Sequence, residues 1–196
     1  MNKILDKLMS FISHNDDIDQ DQYDIARYGL ELLLMKIIFN AASLVIAILI
    51  GSFWECVIFI MFFSVIRDCA DGYHAESKLK CFILSMLTVA GAVGILKLMN
   101  GYPVIFPILS GLTVPAVVTI ILLAPMDCVN DPKDDDEIRA LKKRTHLVLA
   151  AELLLGTGSY FMGFKTIAGA VILSLIGTAS LLIVGFFKNK TNNMSR

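Results

Sequence analysis

The charged residues of this chain are gathered into three clusters, at residues 1–36, 67–80 and 131–144, with a few more at the far C-terminus. Long apolar runs with almost no charge separate them. That alternation is the signature of a polytopic membrane protein rather than of a soluble core. Composition agrees, because 56% of the residues are hydrophobic, 18% are charged and the mean hydropathy is +0.70. A soluble domain of this length carries more charge. The net charge of −1 gives no footprint for nucleic acid, since the bases are not gathered on one soluble domain. No signal peptide is expected, because Lys3, Asp6 and Lys7 interrupt the stretch that would have to be apolar.

The pattern predicts an all-α polytopic membrane protein with six transmembrane helices and both termini cytoplasmic. The expected spans are 30–51, 53–67, 81–99, 103–124, 146–164 and 166–187. The second is short against the usual requirement of about 20 apolar residues. The fourth contains Pro103, Pro107 and Pro115, which membrane helices tolerate by local adjustment. With the N-terminus inside, fourteen of the 17 Lys and Arg residues fall on cytoplasmic segments. Only Lys97 and Lys165 lie outside, and Lys36 sits within the first span. A five-span arrangement would spoil this alternation.

Residues 1–27 form a separate N-terminal segment, 28–187 the membrane domain, and 188–196 a polar tail. In the N-terminal segment Met1, Ile4, Leu5, Leu8, Met9 and Ile12 recur at helical spacing, with polar residues between them. This predicts an amphipathic helix lying in the membrane interface. It serves either as a surface anchor or as a platform for a peptide or lipid partner.

The most polar part of the first half is "RDCADGYHAESKLKC", Arg67 to Cys81, between two apolar runs. A thiolate is a strong nucleophile, but a free thiol is only slightly ionised at neutral pH. His74 as a neighbouring base would raise that fraction. A position in the first turn of the third span would do so too, because a helix N-terminus carries partial positive charge. Lys78 and Lys80 act in the same direction. A straight helix would hold residues 74 and 81 about 10 Å apart, at about 1.5 Å per residue. A Cys–His pair therefore requires the chain to turn between them, and Gly72 supplies a place for it. The bland alternative is a buried interfacial cysteine and a hydrogen-bonded interfacial histidine.

Two other chemistries fit less well. Cys69, His74 and Cys81 have spacings unlike any common zinc pattern and lack a fourth ligand. The run "DCADGYHAE" resembles the first half of the CDP-alcohol phosphotransferase motif. However, the glycine and two aspartates of its second half are here Ser85, Val89 and Val93, and Glu76 replaces its arginine. A non-catalytic transporter is the third alternative, with only Glu31, Lys36, Glu55 and Glu152 to build a pathway.

Taken together, Arg67, "GYHA" at 72–75, Cys81 opening an apolar helix, "AP" at 124–125, "NDPK" at 130–133 and "RALKKR" at 139–144 resemble the accessory gene regulator protein B family. These are membrane cysteine endopeptidases of Gram-positive quorum sensing. The family usually has two glycines before the aromatic residue and histidine; here Asp71 replaces the first. The resemblance implies a bacterial plasma-membrane enzyme with its active site on the cytoplasmic side and no cofactor or metal. It implies a short pro-peptide substrate with an amphipathic leader and an acidic tail, and a homodimer in contact with membrane lipid. Carried over, Cys81 is the nucleophile and His74 its base. Arg67, Lys133, Lys142, Lys143 and Arg144 are candidates for holding substrate carboxylates; their alternative is plain topology and pairing with "DDDE" at 134–137. Of the remaining polar residues, Glu152 is expected to face the bundle interior and His146 to sit at the interface. Cys56 is expected to be a small buried hydrophobe.

Overall fold

A computed structural model describes residues 20–70, 78–125 and 135–194 of the chain. The predicted N-terminal amphipathic helix lies outside the described residues. Six helices are described: α1 (Gln20–Ile50), α2 (Phe53–Ala70), α3 (Lys78–Gly101), α4 (Ile105–Leu123), α5 (Asp135–Phe161) and α6 (Lys165–Met194). The chain divides into two compact units, residues 1–42 and 43–196. Within the first, α1 presents Ile25, Leu33 and Ile37 as exposed apolar side chains.

The helix boundaries follow from the sequence. Helix α1 stops where Gly51 takes a left-handed φ of 72°. The Ser52 amide donates to Ala47 O at 2.9 Å and the Gly51 amide to Ile48 O at 3.0 Å. This paired closure satisfies carbonyls that the helix end would otherwise orphan. Lys97 from α3 donates its ammonium to Ile50 O at the same end. The same device closes α5. Gly163 has a φ of 86°, Phe164 N–H donates to Ser159 O at 2.8 Å, and Gly163 N–H donates to Tyr160 O at 3.0 Å. Helix α4 gives way to an extended Ala124, the conformation forced on a residue that precedes proline.

The core of the second unit is built around α6, which packs on α2, α3, α4 and α5. Phe62, Ile66 and Ala70 of α2 meet Ala116 and Ile120 of α4, Leu149 of α5, and Val171, Leu175, Ala179 and Leu182 of α6. Small residues let α6 come close to its neighbours. A Cβ added to Gly177 would lie 3.1 Å from Thr88 Cγ2 and 3.4 Å from Phe63 Cε2. Pro115 is accommodated inside α4, and Thr119 Oγ1 donates to its carbonyl at 2.8 Å.

The six-span expectation is overturned. Among the described residues four helical stretches are long and apolar enough to cross a membrane: 22–50, 82–101, 105–123 and 165–188. Helix α2 has only 18 residues, and Glu55, Arg67 and Asp68 fall within them. One side of it is buried, with Cys56, Phe59, Phe62, Phe63 and Ile66 covered, while Phe53, Trp54, Met61 and Val65 are exposed. Its length and its charges keep it short of what a span needs. Helix α5 spends its first third on charged residues, and its apolar part runs only from His146 to Phe161, with Glu152 inside it. The closure at Gly163 prevents it from running further. The multi-pass membrane character of the chain therefore rests on four helices.

Candidate functional site

The chain leaves α2 at Ala70 and re-enters helix at Lys78. His74, Gly72 and Asp71 lie between these points, outside the described residues, as does Lys133. The side chain of Cys81 also lies outside the description, but its backbone belongs to the first turn of α3. The free amides of a helix's first turn favour a negative charge there.

Arg67 occupies the last turn of α2 and is half-buried. Its guanidinium carbon stands 5.7 Å from the centre of the Phe63 ring, one turn earlier on the same helix. A cation over an aromatic face gains electrostatic attraction, so this arginine is held along its own helix.

The end of α2 is tied to the basic part of α5. Thr145 is buried, at 1% exposure, and its Oγ1 lies 2.7 Å from Cys69 O and 2.9 Å from Leu141 O. A hydroxyl has one hydrogen, so it is shared between its own helix and the last turn of α2. Arg144 is close enough to Cys69 for its charge to act on the thiol. Lys142, Lys143 and Arg144 are all exposed. Leu141 and Thr145, one turn apart, form the face that α5 turns inward. The structure thus brings Arg67 and Arg144 to the neighbourhood of one helix end. Arg139, further back along α5, pairs with Asp136 at 3.5 Å, with both side chains exposed, and exposed pairs of this kind contribute little. Nothing in the spacing of "KKRTH" marks Thr145, because its role depends on a carbonyl 76 residues away.

The other cysteines whose side chains are described are buried free thiols, Cys56 and Cys69. Cys56 is fully buried, as expected of a small hydrophobe, and its thiol donates to Ser43 O at 3.6 Å. Burial pushes the Cys69 thiol above its ordinary value; Arg144 pulls it back, and Asp68 and Glu152 add to the rise. Cys69 is therefore poorly suited to be a nucleophile. Of the zinc alternative, only Cys69 has a described side chain. On α3, Ser85, Val89 and Val93 are all buried, so the positions where a phosphotransferase would need a glycine and two acids serve packing instead.

Glu152 faces the bundle interior as expected. It is 3% exposed, and Ser174 Oγ of α6 lies 3.1 Å from its Oε2. Ser174 Oγ also lies 2.8 Å from Val171 O. His146 is exposed on α5.

A family model described as Accessory gene regulator B matches residues 5–186. Among curated proteins, an AgrB-like protein of Lactiplantibacillus plantarum is 24% identical over 182 residues, covering 92% of this chain and 88% of the relative. An AgrB-like protein of Clostridium perfringens is 24% identical over 186 residues, covering 89% and 86%. The accessory gene regulator protein B of Staphylococcus aureus is 23% identical over 153 residues, covering 78% of each chain. No solved structure matches significantly.

Proposed function

The chain belongs to the accessory gene regulator B family, a membership that carries a general quorum-sensing, membrane-processing role, and from that premise we propose that it is a cysteine endopeptidase that cuts and cyclises a pro-peptide. The observation that carries this reading is the family match running through the whole Arg67–Cys81 stretch, with Cys81 in the first turn of α3.

The chemistry is acyl transfer. His74 takes the proton of Cys81, and the thiolate adds to the scissile carbonyl carbon. The C–N bond breaks, and the leaving amine takes the proton back from His74. The peptide's N-terminal part is then held as a thioester on Cys81. A nucleophilic side chain within that part, usually a thiol, attacks the thioester carbonyl after giving its proton to His74. Cys81 departs as thiolate and the ring closes. The thioester retains most of the activation needed, so closure requires no ATP. It does require that water be kept from the thioester, which an interfacial site favours.

The substrate of this reading is a short pro-peptide with an amphipathic leader and an acidic tail. Exposed Lys142, Lys143 and Arg144, with Arg67 and Lys133, supply positive charge for that tail. In this reading the site lies on the cytoplasmic side of the bacterial plasma membrane, as the family resemblance implies. The working unit is a homodimer in contact with lipid.

The test is intact mass spectrometry of the protein mixed with a pro-peptide whose ring-forming residue is replaced by alanine. Blocked from cyclising, it should leave the N-terminal fragment attached to Cys81. Cleavage that persists in Cys81→Ala sinks the proposal.

A further inference from the structure

We infer that Thr145 is a positioning residue for the peptidase site, clasping the exit of α2 to the basic stretch of α5; this rests on the reading given under Proposed function.

Three observations carry it. The clasp is made to a main-chain carbonyl, Cys69 O, in the last turn of α2. Such a carbonyl has no partner within its own helix, so a donor from elsewhere satisfies it. The distance, 2.7 Å, is shorter than the 2.9 Å to the threonine's own-helix acceptor, Leu141 O. A threonine inside a helix ordinarily donates only to the carbonyl one turn back, so the second acceptor is the departure from habit. Finally, the residues on either side of the clasp are ones that the chemistry needs. His74 follows Cys69 by five residues in the chain, and Arg144 precedes Thr145 directly.

The consequence is geometric. Ala70 ends α2 four residues before His74 in the chain, so the last turn of α2 is the described end of the stretch that carries the base. One buried hydroxyl holds that turn against α5. Through that end Thr145 acts on the catalytic step rather than on substrate affinity, because small displacements of a reacting pair cost rate.

The experiment uses full-length protein in lipid nanodiscs with a synthetic pro-peptide carrying an acidic tail. Thr145→Val keeps the shape and removes the hydroxyl, and Thr145→Ser keeps the hydroxyl and removes a methyl. The valine variant should lose about tenfold in kcat with KM changed by less than about twofold, and the serine variant should regain most of the rate. A second readout does not depend on cleavage. In a chain carrying Cys56→Ala, Cys81→Ala and Cys128→Ala, Cys69 is the one remaining thiol. Adding Thr145→Val should raise its rate of alkylation by a membrane-permeant maleimide about tenfold, as the clasp opens. Wild-type kcat in the valine variant, or equal impairment by serine and valine, overturns the inference. So does loss of folded protein in the valine variant, which would make Thr145 a purely structural residue. Failure of the unaltered protein to cleave any pro-peptide would instead sink the peptidase reading, leaving the alkylation result to decide the clasp.

Discussion

Glu152 of α5 and Ser174 of α6 meet inside the bundle, the serine hydroxyl oxygen 3.1 Å from the carboxyl Oε2. Ser174 also lies 2.8 Å from Val171 O, so its single hydrogen is contested between two acceptors. Among the described residues, Glu152 Oε1 has no partner, and neither has the buried Thr178 Oγ1. A carboxyl so placed is easiest to accommodate when uncharged. Glu152→Gln should therefore remain within about 1 kcal/mol of the native stability. Glu152→Lys puts a cation in the same place with no acid facing it, and should cost about 3 kcal/mol or more. Thermal unfolding of the detergent-solubilised protein checks both. Equal stability of the glutamine and lysine variants would show that the site is hydrated.

The cysteines should separate cleanly. Cys69 is buried with its thiol pushed up by burial, so Cys69→Ala should keep at least about half of the cleavage rate, the thiol itself being inert. Cys81→Ala should lose it by about a thousandfold or more, as expected for removal of a nucleophile. Peptide cleavage followed by chromatography reads both. A strong loss in Cys69→Ala would move the nucleophile from α3 to α2.

The helix-packing glycines should respond to the stiffness of what they face. A Cβ on Gly156 would stand 3.0 Å from Val171 Cγ1 and 3.2 Å from Val171 Cβ. Valine is branched at Cβ and has little freedom to retreat. A Cβ on Gly169 would come to 2.7 Å from Met99 Cε and 3.1 Å from Leu96 Cδ2. That first distance is shorter, but the methionine terminus can swing away. Gly156→Ala should thus cost about 1–3 kcal/mol and Gly169→Ala less. Melting temperatures in one detergent give the order, and the reverse order would mean that Leu96 rather than Met99 controls the contact.

Charge on α5 should act on affinity and not on rate. Lys142, Lys143 and Arg144 are exposed, so neutralising all three to glutamine should raise KM for an acid-tailed pro-peptide about tenfold at low salt, with the effect shrinking as salt screens it. kcat should stay within about twofold. Steady-state kinetics at two ionic strengths would show it, and an unchanged KM at low salt would assign these residues to topology alone.

The contrast between what the sequence made legible and what it did not is physical. The long helices were readable because apolar runs and charge clusters alternate. The burial of Cys56 and Glu152 was readable from their apolar surroundings. The number of spans was not. Helix α2 is apolar but has only 18 residues with Glu55, Arg67 and Asp68 among them, and α5 reaches its apolar stretch only after a charged start. Where a helix begins and ends is a property of the folded chain, and one chain's periodicity does not contain it. Thr145 was illegible for the same reason, since its meaning comes from Cys69 O across the bundle.

Helix α6 packs on four other helices, and it is also the last of the six to be synthesised. While the ribosome is still making it, α2, α4 and α5 have each other but not Val171, Leu175, Ala179 and Leu182, which fill the space among them. The second unit can therefore settle only once α6 has been made. Its earlier helices must wait in the insertion machinery, or in lipid, with their inward faces unmatched. A stop codon near residue 165 would then cost more than one helix, because the chain behind it would have nothing to close around.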